Sequence, residues 1–88
     1  MARTGKLTSL VTDEDIKLSQ RRSLSTETAD KLRELILLEK LPPGMHIPER
    51  DLSEALGISR TPMREALRIL EAEGLVDHTP TRRSRVAN

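Results

Sequence analysis

From Ser25 onward the apolar positions recur at helical spacing. Ala29, Leu32, Leu35 and Ile36 lie three and four residues apart, and Lys31, Arg33, Glu34 and Glu39 fill the positions between and after them. Ser25 or Thr26 can cap the start of this helix, and Glu27 and Asp30 suit its positive end. Pro42 and Pro43 remove donors and restrict the residue before them, so the helix stops by Leu41 and Gly44 completes the turn. Met45, His46 and Ile47 are too few for a helix and read as a brief extended segment. Pro48 opens a second helix whose Leu52, Ala55 and Leu56 are expected to face inward. Gly57 supplies a left-handed residue at its end. Ser59 then caps a third helix, and Pro62 is confined to its first turn. Met63, Ala66, Leu67 and Leu70 form a strong apolar stripe along it. Gly74 stops that helix. Residues 75–79 read as a strand, 80–83 as a turn and 84–87 as a returning strand.

Ahead of Ser25 the pattern is lost. Leu7, Leu10, Val11, Ile16 and Leu18 are scattered among polar residues without a period. Residues 1–22 are therefore expected to be a flexible arm with at most a local turn of helix, and residues 23–88 the folded domain. The element order in that domain is helix, short strand, helix, tight turn, helix, hairpin. Two helices joined through a very short turn containing glycine make a helix-turn-helix, here at about residues 49–68. With the hairpin behind it, the expected fold is mainly α with a small β-hairpin: a winged helix-turn-helix.

Composition sharpens this. A chain of 88 residues allows one small domain, and with no Phe, Trp or Tyr its core is thin and aliphatic. The absence of Cys excludes a disulfide framework, a thiol nucleophile and a cysteine zinc site. His46 and His78 are far apart in sequence, so neither a metal nor another cofactor is expected in this chain. No apolar run approaches a membrane span or a signal peptide, which leads us to expect a cytoplasmic protein with no membrane partner. No nucleophile–base pair, carboxylate pair or phosphate-binding glycine loop argues for an enzyme.

The formal net charge of +1 hides a polar distribution. The middle of the chain is acidic, whereas the last eleven residues carry Arg82, Arg83 and Arg85 and no acid. On a wheel of about 100° per residue, Arg60, Arg64 and Arg68 form one ridge within roughly 80°, with Thr61 beside it and the apolar stripe on another side. Long donors along the N-terminal half of a helix, with the core behind, are what a major-groove reader needs. Ser59 and Thr61 can bond phosphates or bases, and the free amides of the helix start favour an anion. The competing reading is a solvated face paired with Glu65 and Glu71, and such pairs are weak. Arg50 at the start of the second helix either lies over a phosphate backbone or pairs with Glu54. Arg82, Arg83 and Arg85 sit on the tip and return strand of the hairpin, as a second basic element or as a solubility device.

The residues Leu41-Pro42-Pro43-Gly44, then Glu49-Arg50-Asp51-Leu52-Ser53-Glu54-Ala55-Leu56-Gly57-Ile58, then Ser59-Arg60-Thr61-Pro62-Met63-Arg64-Glu65-Ala66-Leu67 and Glu73-Gly74-Leu75-Val76 resemble the DNA-binding domain of GntR-family bacterial transcription regulators. The likeness runs from about residue 25 to 86. Its Thr-Pro step is most similar to the FadR-related branch, whose members carry an all-helical ligand-binding (FCD) domain.

The resemblance implies a sequence-specific DNA-binding domain. Its third helix would enter the major groove, and its wing the adjacent minor groove. Arg50 would contact the backbone. Ser59, Arg60, Thr61 and Arg64 would read the operator, with Arg68 on the same ridge and Thr81, Arg82 and Arg83 at the wing. The family usually has Gly where this chain has Arg83, so either the wing turn differs in shape or its tip works by charge. The expected partner is a double-stranded, palindromic operator. The full-length regulator is expected to be a homodimer whose effector-binding and dimerisation domain, along with any effector or metal, lies outside this chain. This chain alone would dimerise weakly or not at all. The other function class held open is a winged-helix protein adaptor that does not bind specific DNA.

Overall fold

The structure is a computed structural model and describes residues 10–81 and 83–88. Residues 1–9 of the arm and the wing residue Arg82 lie outside the described residues. Three helices come first: α1 at Asp13–Leu37, α2 at Glu49–Leu56 and α3 at Arg60–Ala72. The hairpin β1 (Val76–His78) and β2 (Ser84–Val86) follows. This is the expected order and the winged helix-turn-helix.

One boundary moves by twelve positions. The first helix starts not at Ser25 or Thr26 but at Asp13, and it runs for 25 residues. Thr12 caps it: its hydroxyl accepts from the Asp15 amide at 3.1 Å, and the Asp15 carboxylate accepts from the Thr12 amide at 2.9 Å. That reciprocal box, with Asp13, Glu14 and Asp15 at the positive end of the dipole, secures the terminus. The Thr12 bonds, the backbone amide first, hold the Asp15 carboxyl below its usual range. Every residue from 10 to 24 is exposed. The segment has no apolar period because it packs on nothing. It is helical because Lys17, Leu18, Gln20, Arg21 and Arg22 are good helix formers extending a helix already nucleated downstream. Ser25 and Thr26, far from capping, bond back to the carbonyls of Arg21 and Arg22 within the helix.

The core gathers Ala29 and Leu32 of α1, Leu41 and Ile47, Met63, Ala66, Leu67 and Leu70 of α3, and Val76 and Val86 of the hairpin. The α3 stripe is buried as expected. The inward face of α2 differs: Leu52 and Leu56 are half-buried, Ala55 is exposed, and Ser53 is buried in its place. An eight-residue helix turned only partly toward the core buries one edge rather than three positions.

The wing is antiparallel, with Val76 opposite Val86, Asp77 opposite Arg85 and His78 opposite Ser84. The extended segment at 45–47 lies on the other side of β2. The Ile47 amide donates to Ser84 and the Val86 amide to Met45, both at 2.9 Å.

Arg33 ties α1 to the end of α3. Its Nε and Nη2 donate to the two carboxylate oxygens of Glu73 at 2.9 and 2.7 Å, and Nη1 donates to Asp30 at 2.7 Å. The bond from Arg33 holds the Glu73 carboxyl below its usual range. A depressed folded value means the contribution is present above the unfolded glutamate value of about 4.3 and is lost as pH falls through the folded value. Glu73→Gln is therefore expected to lower the melting temperature at pH 7, with the gap to wild type closing below about pH 4. Thermal melts of both proteins between pH 7 and pH 3 check this, and a gap that stays constant with pH refutes it.

Candidate nucleic-acid interface

The turn between α2 and α3 sets the site. Gly57 takes the left-handed conformation, with φ 67° and ψ 33°. The amides of Gly57 and Ile58 then close back onto Glu54 and Ser53 at 3.2 and 3.0 Å. A Cβ at Gly57 would meet nothing within 4 Å, so its requirement is one of backbone conformation alone. Gly57→Ala is expected to cost about 1–2 kcal/mol, the left-handed penalty of an L-residue. Urea unfolding measures it, and a change of zero would mean that the turn has another shape.

Ser59 stands at the expected cap position, extended at φ −82° and ψ 175°, but its side chain makes no capping bond. Its hydroxyl is exposed beside the first amides of α3.

The three ridge arginines project from α3 as the wheel predicts. Arg60, Arg64 and Arg68 are exposed, as is Thr61. Neither acidic residue expected as a surface partner pairs with the ridge. Glu65 accepts a hydrogen bond from Ser25 of α1, and Glu71 faces His78 Nδ1 at 3.9 Å. Among the described residues, no carboxylate lies within 4.0 Å of the charged nitrogens of Arg60, Arg64 or Arg68. Arg50 does pair with Glu54, at 3.6 Å, but with both side chains largely exposed this is a weak link that a stronger anion can displace.

The ridge is framed on two sides. A groove between α2 and α3 is lined by Glu49, Arg50, Ser53, Arg60, Met63 and Arg64. A second groove lies between α3 and the wing, where Arg64 and Arg68 share the lining with Glu49 and Glu71 and with His78 and Ser84 of the wing. On the opposite flank, Glu65 and Glu73 hold α1.

At the wing tip Thr81 and Arg83 are exposed. The turn is closed by Thr79, whose amide donates to the Arg83 carbonyl at 2.8 Å and whose hydroxyl accepts the Arg83 amide at 3.2 Å. Glu39 alone among the described non-glycine residues has a positive φ, so Arg83 is not forced into the glycine conformation.

Sequence reasoning missed the two links from α1 to α3, Ser25–Glu65 and Arg33–Glu73. Each joins residues 40 apart, beyond the reach of any local pattern. The capping box at Thr12 and Asp15 did carry a signal, a threonine followed three residues later by an acid before a run of helix formers. Among the described residues, no three His, Cys, Asp or Glu side chains converge as a metal site. No described helix is long and apolar enough to cross a membrane.

The profile of the family described as "Bacterial regulatory proteins, gntR family" matches residues 24–86. A transcriptional regulator of Streptomyces ambofaciens, described as lying in an unstable DNA locus, is 46% identical over 50 residues, covering 57% of this chain and 21% of its own length. The HTH-type transcriptional regulator Mce2R of Mycobacterium tuberculosis is 45% identical over 58 residues, covering 65% of this chain and 24% of its own. The chain thus spans about a quarter or less of these relatives. The crystal structure of a GntR family member from Pseudomonas syringae superposes with a TM-score of 0.65 at 37% identity, over 74% of this chain and 27% of that one. These relatives are named as transcription regulators rather than enzymes. The match covers the helix-turn-helix, its arginine ridge and the wing together, and the chain belongs to the GntR family of bacterial regulators, as a winged helix-turn-helix DNA-binding domain.

Proposed function

We propose that this domain reads a double-stranded operator in a sequence-specific manner, with α3 in the major groove and the wing at the adjacent minor groove. The observation that carries the reading is the ridge of Arg60, Arg64 and Arg68, exposed and without a carboxylate partner among the described residues. Three guanidiniums left unneutralised on a helix of a near-neutral domain are available for guanine edges and phosphates.

Arg60 and Arg64 are the chief base-reading donors. Ser59 and Thr61 supply hydroxyls, Arg68 a flanking contact, and Arg50 a backbone contact made by exchanging Glu54 for phosphate. Thr81, Arg82 and Arg83 serve the wing. The regulator acts in the cytoplasm as a homodimer of the FCD type on a palindromic operator, each copy taking one half-site. Effector binding belongs to the remainder of such a regulator, and this domain itself needs no cofactor.

The test is selection of this chain against random duplex DNA, with sequencing, at two salt concentrations. Enrichment of a short half-site that disappears in the Arg60/Arg64 double alanine variant is the expected result. Binding without enrichment, or no binding at low salt, overturns the reading.

A further inference from the structure

The two links between α1 and α3 fix how these helices lie. Ser25 bonds Glu65 and Arg33 bonds Glu73, both pairs being 40 residues apart. An equal offset over two turns means that α1 and α3 run side by side in the same direction. Residues of the two helices that differ by 40 therefore stand at the same level, which puts Arg21 level with Thr61. Twelve residues of α1 precede Ser25, whereas only five of α3 precede Glu65. At 1.5 Å per residue, α1 reaches about 10 Å beyond the start of α3.

Arg21 is one turn before Ser25, on the same face of α1, and Lys17 is one turn before Arg21. The row Lys17–Arg21–Ser25 thus continues the flank by which α1 touches α3. Both basic residues are exposed, and among the described residues neither has a carboxylate within 4.0 Å. This flank borders the arginine ridge on the side away from the wing, since the wing groove opens beside Arg64 and Arg68 while Glu65 and Glu73 face α1. Glu14 and Asp15 line the same shallow groove as Lys17 and Arg21 and mark the outer, acidic end of this flank, so the basic character belongs to Arg21 first.

We propose that Arg21, with Lys17 one turn further out, is a phosphate-binding element. It grips the DNA backbone along the major-groove edge opposite the wing. The proposal rests on the DNA-reading assignment above and extends it: the domain would hold both edges of the groove that α3 enters, with the wing on one side and the helical arm on the other. The contact is one of charge, so it adds affinity without sequence preference.

The test uses the full chain and the half-site recovered by selection. Arg21→Gln is expected to flatten the dependence of log K on log salt by about 0.9, one phosphate contact, and to weaken all sequences equally. Lys31→Gln, which removes a charge from the far half of the same helix, is expected to change neither. A methylphosphonate replacing one phosphate on the wing-distal edge is expected to weaken the wild type several-fold and leave Arg21→Gln unaffected. Circular dichroism confirms that the variant keeps its helix.

If Arg64→Ala still abolishes site preference while Arg21→Gln leaves the salt slope and the methylphosphonate effect unchanged, the arm contact is refuted and the DNA-reading assignment stands. If the wild type shows no preference for any duplex, both fall together.

Discussion

Arg64→Ala is expected to lower affinity for the selected half-site by about 1–3 kcal/mol and to relax base preference at one position. Arg64 lines both grooves that frame the ridge, the one toward α2 and the one toward the wing. It is the middle arginine of the ridge, and a guanidinium there can pair bidentately with the O6 and N7 of a guanine. Its exposed side chain supports no core packing, so the melting temperature is expected to stay within the small range of a surface substitution. The measurement is equilibrium binding to the preferred site and to each single-base variant of it. Equal loss on every sequence would make Arg64 a phosphate contact and leave base reading to Arg60 and Thr61.

The geometry that makes this expectation specific was partly legible in the sequence. The α3 stripe and ridge were readable because a 13-residue amphipathic helix carries its own wheel. The α2–α3 turn was readable because Gly57 and Ser59 are strong punctuation. What failed was the start of α1. A solvated helix buries no face, so it leaves no period to detect, and its existence rests on a cap and on summed propensities. Ala55 failed for a related reason, since two turns of helix define a face too loosely to say which edge is covered. The site was legible as a set of residues but not as an arrangement. That neither Glu65 nor Glu71 pairs with the ridge goes with Glu65 accepting from Ser25 and Glu71 standing 3.9 Å from His78. The first of those partners comes from α1, and no spacing rule links the two.

Leu70→Ala is expected to have the opposite profile to Arg64→Ala: a large loss of stability with the pattern of base preference unchanged. Leu70 is 0% exposed and sits on the stripe where α3 meets α1 and the hairpin. Truncating a fully buried leucine costs about 2–5 kcal/mol, the lost transfer energy together with the cavity left behind. A domain of this length has roughly 0.05–0.15 kcal/mol of stability per residue, so the loss is a large share of the total. Leu70→Met, which nearly conserves volume, is expected to cost less than about 1.5 kcal/mol. Urea unfolding of the three proteins gives the energies. Half-site selection at a temperature where the alanine variant is still folded gives the preference. A Leu70→Ala protein as stable as the wild type would mean that α1, α3 and the wing do not share one core. The arginine ridge would then lack the rigid backing that lets three exposed side chains act as a reader.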